Sequence, residues 1–156
     1  MIKKFLIVGI VSVALAGIAA LFYFGSDRKK VVREFIDPSN QELVSQGKVI
    51  YANHCVACHG ANLEGQPDWR QRLPNGRLPA PPHDATGHTW HHPDAVLVDI
   101  VKNGLVPGRT APSGYESDMP AYGQLLSDAD IAAVLAYIKS TWSSEILELQ
   151  KEVTMQ

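Results

Sequence analysis

Cys55-Val56-Ala57-Cys58-His59 places two thiols three positions apart, with an imidazole directly after the second. Four chemistries compete for such a pentapeptide: a redox dithiol, half of a zinc site, a structural disulfide, and covalent attachment of haem. A redox dithiol of the thioredoxin type belongs in a βαβ setting, and none surrounds this one. A four-ligand zinc site usually needs a second Cys or His pair at its own spacing, and these are the chain's two cysteines. The run matches the c-type haem signature. The thiols of Cys55 and Cys58 can each add to one haem vinyl group, the two residues between them spanning the distance. His59 then falls beneath the iron as an axial ligand.

Iron held by His59 has a second open face. The thioether of a methionine suits an electron carrier, and the chain holds three: Met1, Met119 and Met155. Met1 precedes a long apolar run and Met155 lies in the terminal tail. Met119 stands in a polar loop, Ser117-Asp118-Met119-Pro120-Ala121-Tyr122-Gly123, where the fixed φ of Pro120 stiffens the strand that would present sulfur to iron. A core gap-filler would have more apolar neighbours. Four of the six histidines, His83, His88, His91 and His92, fall in one loop. Imidazole suits copper and zinc, so the four are a candidate second metal site. The competing readings are hydrogen-bonding or solvated loop histidines, or one of them taking the place of Met119.

Around these residues the chain divides by composition. Positive Lys3 and Lys4 precede 20 uncharged residues, Phe5 to Phe24. At helical rise these cover roughly 30 Å, the hydrocarbon thickness of a bilayer. Residues 1–30 therefore read as a membrane anchor. A cleaved signal peptide is the rival, with Ala14-Leu15-Ala16 as a small-residue site. Arg28, Lys29, Lys30 and Arg33 outnumber Lys3 and Lys4, which opposes the orientation that haem attachment on the periplasmic side requires; the attachment chemistry overrides that count. Residues 31–38 form a tether, 39–143 the haem domain, and 144–156 a tail able to be helical.

Within the domain, Asp37-Pro38 is a helix start, the pattern running from Ser39 to Asn53 with Leu43, Gly47, Ile50 and Tyr51 on one face. Gly47 weakens a helix by about 1 kcal/mol against Ala, so its benefit is close approach by another helix. Gly60 to His92 holds five prolines, and a loop this long in a small domain is functional or disordered. It is placed to wrap a macrocycle, with Arg70, Arg72, Arg77 and Trp90 as donors to its propionates. Pro93 to Gly104 is a second helix with a Leu97, Ile100 and Val101 stripe that leaves Val98 off. Ser127 to Asp130 opens a third with a near capping box, and Ile131, Val134, Leu135 and Ile138 form its apolar face. The segment after Ser143 extends it.

From Ser39 to Trp142 the chain resembles a class I, monohaem cytochrome c. The resemblance rests on the helix carrying Gly47 and Tyr51 into Cys55, Cys58 and His59, on Met119-Pro120, and on a final helix with Leu135 and Tyr137. It implies an all-α domain around one covalent haem c, with the first and last helices crossing at Gly47. It also implies that a proline carbonyl, of Pro81 or Pro82, accepts the free N–H of His59. With the N-terminal segment, the chain is similar to bacterial cytochromes c anchored in the cytoplasmic membrane, haem domain in the periplasm. Tyr51, Arg77, Pro81, Pro82 and Trp90 are the expected pocket residues. The function implied is electron transfer rather than catalysis, with a quinol-oxidising cytochrome complex, a terminal oxidase or a dehydrogenase as redox partner. The alternatives are a haem peroxidase and a copper-handling protein. A formal charge of −2 gives no reason to expect nucleic acid. Seven basic against eleven acidic side chains between Phe35 and Ser143 argue against a basic docking ring. A small apolar rim suits brief encounters better.

Overall fold

The computed structural model describes residues 35–156. The expected membrane segment, 5–24, lies outside them. No helix among the described residues is long and apolar enough to cross a membrane. Among the described residues five helices follow in order: α1, Gln41–His54; the single turn α2, Val56–His59; α3, Asp94–Asn103; α4, Asp128–Lys139; and α5, Ser144–Met155. A short 3-10 turn, Thr89–His91, precedes α3. No strand occurs among the described residues beyond one isolated bridge, Pro107 with Ala111.

The core forms where α1 crosses α4, the most extensively packed pair of helices. A Cβ built on Gly47 would stand 1.9 Å from the carbonyl oxygen of Ala133, so the two backbones touch and only hydrogen fits between them. Ile50, Tyr51, Ile131, Val134, Leu135 and Ile138 fill the space on either side. Ser127 accepts from the Asp130 amide while Asp130 accepts from the Ser127 amide, completing the capping box that opens α4. Gln46 adds a bond across the pair to Asp130, 3.0 Å.

Three expectations shift. The N-cap of α1 is Asn40, whose side chain accepts from Leu43 N at 3.1 Å. Asp37 instead accepts from Ser39 N at 2.8 Å and closes a turn ahead of the helix. The buried face of α3 is Asp94, Leu97 and Val98, with Val101 half-buried, so Val98 belongs to the stripe and Ile100 does not lead it. These positions follow i, i+3, i+4, i+7, but a carboxylate heads them, and a hydrophobic pattern cannot register it. The segment after Ser143 is a new helix rather than an extension of α4. The chain bends through Ser140 to Trp142, and Ser143 caps α5. Its one fully buried residue is Gln150, so its apolar residues do not line up as a stripe.

Asp94 explains this arrangement. Its carboxylate meets Lys139 Nζ at 3.0 and 2.9 Å, both side chains being essentially without solvent exposure. It also accepts from Ile36 N at 2.6 Å and Gln150 Nε2 at 2.8 Å. Lys139 lies 3.6 Å from the centre of the Phe35 ring. Burial lowers the pKa of Lys139, and Asp94 opposes that shift.

Gly47→Ala should lower stability by about 1–3 kcal/mol, because the clash is with backbone that cannot swing aside; denaturant unfolding of the haem-loaded protein measures it. Lys139→Met strands a buried carboxylate and should cost about 3–5 kcal/mol by the same assay.

Candidate functional site

The end of α1 carries the chain into the reactive pentapeptide without a break. Cys55 N donates to Tyr51 O at 2.9 Å, and the α2 turn closes with His59 N on Cys55 O at 2.9 Å. Gly60, at φ +80°, ends the turn in a conformation that side-chain-bearing residues rarely adopt. The buried Tyr51 hydroxyl donates to Gly60 O at 2.9 Å, strapping the far end of the turn back onto α1. Burial pushes that hydroxyl well above the usual tyrosine range. Cys55 is half-buried and Cys58 exposed, and they are not joined to one another. Burial, then the neighbouring Cys58, pushes the Cys55 thiol up to about 11.

His59 is buried, and its Nδ1 lies 2.9 Å from Pro81 O. A carbonyl can only accept, so Nδ1 carries the proton and Nε2 is left with a free lone pair. Burial lowers the pKa of the ring, partly offset by the Pro81 bond, which favours the neutral imidazole a metal requires. Of the two prolines expected here, Pro81 holds the histidine. Pro82 is buried, its carbonyl facing Gly87, where a Cβ would come within 2.0 Å.

The loop from Gly60 is ordered by its own hydrogen bonds. Gly65 N reaches His59 O at 2.8 Å, Gln66 N reaches Ala80 O at 2.9 Å, and His83 N reaches Leu63 O at 2.7 Å. Trp90 Nε1 is buried and has no partner among the described residues. An orphaned indole N–H inside a protein is uncommon, and it suits an anionic acceptor that the polypeptide does not supply. Arg77 points elsewhere: it pairs with Asp118 and, at 3.5 Å, with Glu116, joining this loop to the Met119 loop. Arg72 bonds its own loop at Gly76 O, and Arg70 lies 4.2 Å over the Trp69 ring.

Met119 is half-buried, its amide held by Ser117 Oγ at 3.0 Å. Three residues on, Tyr122 fixes the loop in two directions. Its amide donates to Val101 O at 3.0 Å, and its hydroxyl donates to His54 O at 2.7 Å, immediately before Cys55. Tyr122 escaped the sequence reading, although an aromatic so close to Met119 was the available signal.

The four loop histidines do not converge. His83 turns inward and stacks on His59, ring centres 4.0 Å apart. His88 stacks on Trp69 at 5.3 Å and meets His92 edge-on at 5.5 Å, while His91 lies on Trp90 at 3.6 Å. No three His, Cys, Asp or Glu side chains among the described residues are grouped to hold a metal ion. The second metal site expected from composition is thus split, because the His83 amide is tied to Leu63 and its ring to Thr89 Oγ1 at 2.8 Å.

Two thiols on one helical turn, a neutral imidazole with Nε2 free and an unsatisfied buried N–H together fit haem attached through thioethers. They define the class: a helical c-type haem protein. The Cytochrome c family model matches residues 44–142, and the chain belongs to that family. The cofactor is haem c, with Cys55 and Cys58 in the attachment positions. Among curated proteins, the chain is 30% identical over 105 residues to the cbb3-type cytochrome c oxidase subunit FixP of Azorhizobium caulinodans, covering 65% of this chain and 31% of that one. It is 31% identical over 94 residues to subunit CcoP of Azospirillum brasilense, covering 60% and 26%. With the cytochrome bc1 complex cytochrome c subunit of Mycobacterium tuberculosis, identity is 28% over 104 residues, covering 67% and 30%. The chain thus spans less than a third of the length of these relatives. No solved structure matches.

A hydrogen bond from Trp90 to a haem propionate would favour the ionised carboxylate. Trp90→Phe removes that donor and leaves no polypeptide acceptor unpaired. The propionate pKa should therefore rise, and the pH-dependent step of the midpoint potential should move to higher pH in redox titrations across a pH series.

Proposed function

We propose that the protein is a membrane-anchored electron carrier that passes single electrons between respiratory redox proteins, its iron held by His59 and Met119. The observation that carries this reading is the Pro81 bond to His59 Nδ1, which leaves Nε2 as the ring's metal-binding atom. When bound, haem c supplies an iron that cycles between two oxidation states. The polypeptide binds it through Cys55 and Cys58, fixes the tautomer of His59 through Pro81, and offers a propionate donor in Trp90. Ser117 shapes the Met119 loop from within, and Tyr122 holds it against α1 and α3. The Met119 thioether would favour the ferrous state and raise the potential. With His59 and Met119 both holding the iron, no position would be open for a substrate, which separates a carrier from a peroxidase.

The relatives named as subunits of a cbb3-type oxidase, a bc1 complex and, in Pantoea cypripedii, a gluconate 2-dehydrogenase support redox complexes as partners. On this reading residues 5–24 anchor the chain in the bacterial cytoplasmic membrane with the haem domain on the periplasmic side. Tethering raises the effective concentration near membrane complexes without a strongly charged docking face.

The test is the oxidised holoprotein's absorption at the red end of the visible spectrum. A weak methionine–iron band is expected in the wild type and should vanish in Met119→Ala, together with a fall in midpoint potential and new binding of cyanide or imidazole. A wild-type protein without that band, and open to those ligands at neutral pH, would overturn the carrier reading.

A further inference from the structure

His83 is fixed more heavily than any loop histidine needs to be. Its amide donates to Leu63 O at 2.7 Å, its carbonyl accepts from the indole of buried Trp142 at 2.8 Å, and its Nδ1 pairs with the hydroxyl of buried Thr89 at 2.8 Å. These three contacts hold one imidazole face against His59, with centres 4.0 Å apart and planes inclined by 22°. The segments involved come from three parts of the chain, so the placement does not follow from the loop's own turn geometry. The hydroxyl of Thr89 orients a flat ring there.

The single hydrogen bond from His59 to Pro81 leaves its own ring loosely set, because a carbonyl oxygen accepts over a broad range of directions. A second ring lying nearly parallel at van der Waals distance removes that freedom. We propose that His83 is a positioning residue for the axial imidazole: its clamped ring sets the rotational angle of the His59 plane about the bond to iron. The proposal rests on the assignment of His59 as axial ligand. The consequence lies in the ferric electronic structure, because the azimuth of a planar ligand determines how far two of the iron d orbitals split.

Full-length holoprotein carrying His83→Leu and His83→Phe tests this against wild type by low-temperature electron paramagnetic resonance of the oxidised state. The order of the haem methyl shifts in proton nuclear magnetic resonance provides a second readout, and thermal melting monitors the fold. The wild type and His83→Phe, which keeps a flat ring, should give one narrow low-spin signal. His83→Leu should give a broadened or doubled signal and a changed order of methyl shifts. A His83→Leu spectrum as narrow as wild type, or equal broadening in both variants, would overturn the proposal. If neither variant folds, Thr89→Val keeps the imidazole and removes only the hydroxyl that orients it; broadening is then expected, and an unchanged spectrum refutes the stack. A wild type lacking low-spin, histidine-ligated iron would defeat the ligand assignment itself, a result distinct from failure of the stack.

Discussion

One carboxylate decides how this domain closes. Asp94 receives the chain's entry through Ile36, the end of α4 through Lys139 and the middle of α5 through Gln150, while it starts α3 itself. A lone buried charge would be prohibitive, so the carboxylate and ammonium must be buried together or not at all. The pair and its hydrogen bonds tie the end of α4 and the middle of α5 to the start of α3. The crossing of α4 with α1 at Gly47 then sets the course of α1 and hence the position of Cys55.

Legibility in the sequence follows the range of the interactions involved. Features enforced within a few residues could be read directly: the boundaries of α3 from Pro93 and Gly104, the opening of α4 from Ser127 and Asp130, and the haem-attachment pentapeptide. Gly47 was legible too, since a glycine amid an apolar helix face implies something pressed against it. Features decided across the chain were not. Nothing local distinguishes Asp94 from any acidic residue in a first helical turn, because its partner is 45 positions away. Arg77, expected near the propionates, is drawn off by carboxylates 39 and 41 positions on. The four loop histidines, close along the chain, do not form one group in space: His83 turns in onto His59, His88 lies on Trp69 and edge-on to His92, and His91 lies on Trp90.

At the site, selection among residues of one type is made by hydrogen-bond geometry. Two adjacent prolines were equivalent on paper, and the fold separates them by giving one carbonyl to His59 and pressing the other on Gly87. The same logic separates the donors. Arg72 and Arg77 hydrogen-bond within the polypeptide and Arg70 lies over the Trp69 ring, whereas the buried Trp90 N–H has no partner among the described residues.

The surface pairing of Arg77 with Asp118 and Glu116 carries a mechanical meaning. Arg77 lies four residues before Pro81, and Asp118 lies directly before Met119. The loop that steadies His59 is therefore buckled to the loop that bears Met119. An exposed buckle of this kind holds with only about 0–1 kcal/mol. Its weight is small, but displacing either loop breaks a charged contact with the other.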